Sequence, residues 1–87
     1  MYFVYILQSI KDNSYYIGYT KNIEDRLSEH NFGRTGYTKL KRPWEIIYRE
    51  AYKTEKEAIN RERKLKRLKN KKYLEYLIKK SHSLMGP

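Results

Sequence analysis

The chain has 87 residues, no cysteine, and twenty Lys or Arg against ten Asp or Glu, a net charge of +10. That length suits one domain with one modest core, and the missing thiols exclude a disulfide framework and a thiolate metal site. The first apolar run, Tyr2 to Leu7, is far shorter than the roughly 20 residues of a membrane span and lacks a basic leader, so a soluble, cytoplasmic protein without membrane contact is expected.

In chain order, residues 2–8 (YFVYILQ) are apolar on both faces, as in a central strand covered on each side. Asp12 and Asn13 accept tight backbone angles and predict a turn. Tyr15–Thr20 (YYIGYT) then returns as an antiparallel second strand. Alternation puts Tyr15, Ile17 and Tyr19 on one face and Tyr16, Gly18 and Thr20 on the other. After a turn at Lys21, Asn22 is the expected N-cap of a helix over about Ile23–Asn31, with Asp25 near its positive end. On that helix Ile23, Leu27 and His30 share a stripe, and Arg26 lies beside it. A cation and an imidazole thus border the buried edge of a helix that faces several phenols and one bare glycine. Such groups together suit a phosphodiester.

Asn31–Arg42 (NFGRTGYTKLKR) has two glycines, several cations and no apolar period, which predicts a long, flexible loop on the rim of the site. Pro43 ends it, and Trp44–Tyr52 (WEIIYREAY) is a third strand able to pair with the first. Thr54 with Glu57 forms a capping box, opening a helix over about Glu55–Leu68. Its apolar stripe is Ala58, Leu65 and Leu68 with Ile59 alongside, and Glu62 falls inside that stripe. Asn70 breaks or recaps it, and a last helix over about Lys71–Lys79 turns Tyr73, Leu74, Leu77 and Ile78 inward. One domain over residues 1–80 followed by a flexible tail over 81–87 is expected.

The charge is lopsided. From Lys53 to Lys80 there are twelve Lys or Arg against four Glu, whereas the first 52 residues carry eight against six. Such a field attracts polyanions, and DNA, with RNA as the other candidate, is the expected partner. Lys39, Arg63, Lys66 and Lys69 are candidate phosphate contacts, and Gly18 is a place where a ligand can approach the backbone closely. Nothing in the sequence fixes the oligomeric state.

Three residues carry two readings each. Glu62, a carboxylate on the core side of a basic helix, either forms an ion pair, with Arg26 or Lys66 for instance, or holds a hard divalent ion such as Mg²⁺, which needs only one or two protein carboxylates. His30 is either a packed histidine or a base and hydrogen-bond donor beside a phosphate. Arg26 is either a helix cation or a planar clamp for two phosphate oxygens.

The order of these pieces resembles the GIY-YIG nuclease family, in its small stand-alone, single-domain branch. Tyr16-Ile17-Gly18 matches the second motif. In the first, Phe3-Val4-Tyr5 stands where the family has Gly-Ile-Tyr, so only Tyr5 matches. The family's arginine and histidine fall on Arg26 and His30, and its metal-binding glutamate on Glu62. The resemblance spans about residues 2–80. Tyr19 stands where many members have lysine, and Asn70 is the sole counterpart for a late asparagine. The resemblance implies an α/β (α+β) sandwich with a three-stranded antiparallel sheet flanked by helices. It also implies a metal-dependent endonuclease using Mg²⁺ or Mn²⁺, in DNA repair or processing, with little sequence specificity. Glu62 would hold the ion, Arg26 would stabilise the transition state, and Tyr5 or Tyr16 would activate water with help from His30. The rival is a non-catalytic module that binds nucleic acid through the lysine helices and stacks bases on Tyr and Trp.

Overall fold

A computed structural model describes residues 1–33, 36–68 and 70–84. The elements run β1 (Tyr2–Ser9), β2 (Tyr15–Thr20), α1 (Ile23–Asn31), α2 (Gly36–Lys39), β3 (Trp44–Tyr52), α3 (Glu55–Leu68) and α4 (Lys71–Leu84). The sheet is antiparallel with order β2-β1-β3, so the strand that is apolar on both faces is the central one. Helices cover both sides of it, as an α+β architecture requires. Among the described residues no helix is long and apolar enough to cross a membrane.

Each sheet face has its own core. On one, Val4, Ile6 and Ile17 pack with Ala58 and Leu65 of α3 and Leu74 of α4. On the other, Tyr5, Leu7 and Trp44 pack with Tyr16, Leu27 and Ile46. The expected alternation along β2 holds, with Tyr15, Ile17 and Tyr19 on the α3 side and Tyr16 on the α1 side.

Strand β3 does not keep one alternation. Ile6 pairs with Tyr48 but Leu7 pairs with Ile46, an extra residue at that point of the ladder. A one-residue bulge moves every later side chain to the other face. Trp44 and Ile46 therefore lie on the α1 side, while Tyr48 and Tyr52, also even-numbered, pack on the α3 side.

The helix ends follow the local chemistry. Asn22 Oδ1 accepts from the Asp25 amide at 3.0 Å, Thr54 Oγ1 accepts from the Glu57 amide at 3.2 Å, and Asn70 Oδ1 accepts from the Lys72 amide at 2.9 Å. Three expectations are corrected. Leu68 is 44% exposed at the end of α3 and does not join its apolar stripe. Helix α4 continues to Leu84, so its last turn takes up the first residues assigned to the tail, and 85–87 lie outside the described residues. The segment between α1 and β3 is not a plain flexible loop. It contains α2, its Thr38 is fully buried, and Lys41 is fastened to the β1–β2 turn. There the Ser9 hydroxyl donates to the Lys41 carbonyl at 2.5 Å and Lys41 Nζ reaches Asp12 at 2.9 Å. Buried backbone in a loop needs such partners.

Candidate active site

The site is built on the α1 face of the sheet. Tyr5 of β1 pairs in register with Gly18 of β2, and its ring lies across the bare glycine. A Cβ on Gly18 would stand 2.5 Å from Tyr5 Oη, 2.8 Å from its Cζ and 3.2 Å from Tyr16 Cε1. The glycine therefore supplies space. This corrects its place among the nucleic-acid contacts: Gly18 is buried under Tyr5. Gly18→Ala is expected to push the phenol aside, costing about 1–3 kcal/mol of stability by overpacking and loosening the Tyr5 hydroxyl. Thermal unfolding and the Tyr5 side-chain resonances check it.

That hydroxyl is the junction of the site. Arg26 Nε donates to it at 3.4 Å, and it lies 3.1 Å from His30 Nε2. Helical spacing of four sets Arg26 and His30 one turn apart on α1, both within reach of one oxygen. The other ring nitrogen, Nδ1, lies 3.0 Å from Thr38 Oγ1, so a neutral His30 donates to one of these two hydroxyls and accepts from the other. The Thr38 carbonyl in turn accepts from Trp44 Nε1 at 2.9 Å. Tyr16 closes the arrangement, its ring 4.7 Å from that of His30 and edge-on to it.

Burial sets the proton affinities. Tyr5 is 1% exposed and His30 fully buried. Desolvation pushes the Tyr5 phenol up to about 12, and the hydrogen bond from Arg26 offsets only part of that. Burial, with the charge of Arg26, moves His30 below its ordinary value, so its ring is neutral at neutral pH. The two form the buried floor of the site. Its open side carries Arg26, whose side chain is 35% exposed and also meets Glu29 at 3.1 Å, and half-buried Tyr16.

Glu62 lies on α3, in the other layer, its side chain 15% exposed between buried Ala58 and Leu65. It makes no hydrogen bond to the four residues above. Of those four its charge acts on Tyr5, as the smallest of the influences that raise the phenol, and it also helps to raise Tyr19. It is paired with Lys66 at 3.5 Å, one of the two ion pairs its place in the sequence allowed. Arg63 and Lys66 are exposed on the same helix, Lys39 is exposed at the end of α2, and Lys69 lies outside the described residues.

The donor set was tested against a divalent ion. Among the described residues no three His, Cys, Asp or Glu converge as a metal cluster. Two carboxylates are deep enough to matter. Glu50 is saturated by Arg61 at 2.9 and 3.0 Å, by the Tyr52 hydroxyl at 2.7 Å and by the Tyr48 hydroxyl, which leaves no lone pair for a metal. Glu62, held only loosely by a half-exposed lysine, fits an ion that keeps most of its waters and binds substrate phosphate.

Sequence reasoning missed Thr38, which holds the His30 ring through Nδ1, because an isolated threonine in a cation-rich loop carries no periodic signal. Thr38→Val keeps the shape and removes the hydroxyl. It is expected to cost about 1–3 kcal/mol and to change the two His30 ring ¹⁵N shifts, whereas Thr38→Ser retains the wild-type pattern.

Matching this geometry, residues 1–75 fit the family model described as the GIY-YIG catalytic domain, and the chain belongs to that family of nuclease domains. Its relatives are small proteins of the UPF0213 group. It is 40% identical over 83 residues to UPF0213 protein YazA of Bacillus subtilis, covering 94% of this chain and 83% of that one. It is 42% identical over 83 residues to a UPF0213 protein of Listeria monocytogenes, covering 94% and 92%. The solution NMR structure of UPF0213 protein BH0048 from Bacillus halodurans superposes with a TM-score of 0.56 at 32% identity, covering 91% of this chain and 84% of that one.

Proposed function

We propose that the chain is a metal-dependent endonuclease that hydrolyses DNA phosphodiester bonds with little sequence selectivity, acting in repair or processing. The observation that carries this reading is the Tyr5 hydroxyl, held between Arg26 and His30 at 3.4 and 3.1 Å.

The exposed members of the site meet the substrate. Arg26 offers Nη2, and Nη1 once it leaves Glu29, to the scissile phosphate while its Nε is held by Tyr5, so the guanidinium is oriented before substrate arrives and stabilises the charge that grows on the phosphoryl oxygens. Tyr16, on the open side, orients the attacking water. Tyr5 keeps its proton well past neutral pH and works as a fixed dipole that positions Arg26. His30, with both ring nitrogens engaged, acts through Tyr5, the packed one of its two readings. Glu62 would hold Mg²⁺ or Mn²⁺ after giving up Lys66, and such an ion supplies Lewis acidity to the phosphate and to the water. Lys66, Arg63 and Lys39 would then neutralise flanking phosphates.

The test is nicking of supercoiled plasmid in Mg²⁺, Mn²⁺ or EDTA. Cleavage with either ion that EDTA stops, and that Glu62→Ala abolishes, is the expected result. The existing Glu62–Lys66 pair favours the rival reading, a binding module without chemistry. Salt-dependent DNA binding with no cleavage in any metal, indifferent to Glu62→Ala, would establish that instead.

A further inference from the structure

Two large apolar side chains stand out of the surface beside this site. Phe32 and Leu40 are each 75% exposed, although the domain buries both its cores on either side of them in sequence. They are attached to the two ends of one hydrogen bond. Phe32 follows His30 by two residues, Leu40 follows Thr38 by two, and His30 Nδ1 and Thr38 Oγ1 are 3.0 Å apart. The Gly33 amide donates to the His30 carbonyl at 3.1 Å and the Phe32 amide to the Ser28 carbonyl at 2.8 Å, so the end of α1 fixes where Phe32 leaves the helix. Gly33 takes the left-handed φ of +75 that favours glycine, and the place of its missing Cβ lies 2.8 Å from Arg42 Nη1 and 3.1 Å from Lys39 Cγ. Those two cations are thereby seated next to Phe32. Lys39 and Arg42 are exposed, and neither has an acidic partner among the described residues.

We propose that Phe32 and Leu40 form a docking surface for unpaired bases of DNA, so that the substrate class of this site is DNA that is already unstacked, such as a bulge, flap or junction. This rests on the nuclease reading above for its substrate, though not for its binding test. An exposed aromatic offers every base a stacking face, and an apolar wedge flanked by cations is how proteins occupy an opened base step. A second copy of the chain is the other apolar partner. It would bring Lys39 and Arg42 against themselves in a protein of net charge +10, and like charges placed together at an interface cost several kcal/mol. Nucleic acid brings the opposite charge. The staple between His30 and Thr38 ties the surface to the floor of the site, so bases held on Phe32 set which phosphate reaches Arg26.

The experiment is fluorescence-anisotropy binding in EDTA, where nothing is cut, using a labelled duplex with a three-base bulge and its fully paired counterpart. The wild type is expected to prefer the bulged DNA. Phe32→Ala is expected to lower affinity for it by about ten- to a hundredfold, with the paired duplex little changed, and Phe32→Trp is expected to restore the preference. Equal affinity for both DNAs, or a preference indifferent to Phe32→Ala and Leu40→Ala, overturns the proposal. So does a wild-type dimer in analytical ultracentrifugation that Phe32→Ala converts to monomer, because a second copy then covers the surface. Discrimination in EDTA without cleavage in metal would support this inference and overturn the nuclease reading. Cleavage of both DNAs alike would do the reverse.

Discussion

Arg26→Ala is expected to lower the single-turnover rate of DNA cleavage by about 10²–10³, the usual cost of removing one donor aimed at developing charge. The fold should hardly notice. The ion pair between Arg26 and Glu29 joins side chains that are 35% and 41% exposed, and such pairs contribute less than about 1 kcal/mol. Arg26→Lys should recover little, because an ammonium cannot hold Tyr5 through one nitrogen and present a planar fork with the others. The variant also removes the cation that opposes burial at Tyr5, so the phenol should rise further, which a spectrophotometric tyrosine titration would detect. A normal melting curve with cleavage lost supports the assignment. Full cleavage activity in Arg26→Ala would remove the guanidinium from the mechanism.

Glu50→Ala is expected to be the most destabilising single change. Glu50 and Arg61 are 17% and 19% exposed at their side chains and meet through two hydrogen bonds, while the Tyr48 and Tyr52 hydroxyls occupy the remaining lone pairs. Tyr73 of α4 lies close enough to act on Arg61, so the carboxylate that joins β3 to α3 sits where α4 also packs. Deleting it strands a largely buried guanidinium. Breaking a buried pair costs about 3–5 kcal/mol, and the partial exposure here argues for about 3. Against a total of roughly 5–10 kcal/mol for a domain of this size, that should lower the melting temperature by well over 10 °C. Glu50→Met with Arg61→Met should recover much of the loss, since replacing both partners leaves no charge unpaired.

The same network sets a pH window. Burial pushes the Glu50 carboxyl up, but Arg61 and the two tyrosines outweigh it and hold the group below its ordinary value. A depressed carboxyl contributes stability that is complete above its unfolded pKa of about 4.3 and lost as pH falls through the folded value. Tyr52 is pushed up to about 12 and Tyr48 is raised as well, by burial and then by Glu50. Their contribution is complete below about pH 10 and lost as pH climbs past it. Urea unfolding of the wild type should therefore weaken at both extremes, and Glu50→Gln should flatten the acid limb.

The sequence by itself determined the three strands and the helices α1, α3 and α4, though not α2. Strong local signals marked them: a two-sided apolar run for β1, asparagine and threonine caps for α1 and α3, and a proline before β3. It also determined the placement of Tyr16 and Gly18 on one face and of Arg26 and His30 one helical turn apart, since those depend only on the periods of strand and helix. What the tertiary structure decided depends on contacts between distant residues. The bulge opposite Ile6 and Leu7 places Trp44 and Tyr48 on opposite faces, where simple alternation would put them together. Partner choice was likewise undetermined: of two inward carboxylates, Glu50 became a structural hub because Arg61 and two phenols surround it, while Glu62 was left loosely held near Tyr5. The buried Thr38 and the fit of the Tyr5 ring over Gly18 arise the same way. Periodicity reports which way a side chain points, whereas its partner depends on where another element packs.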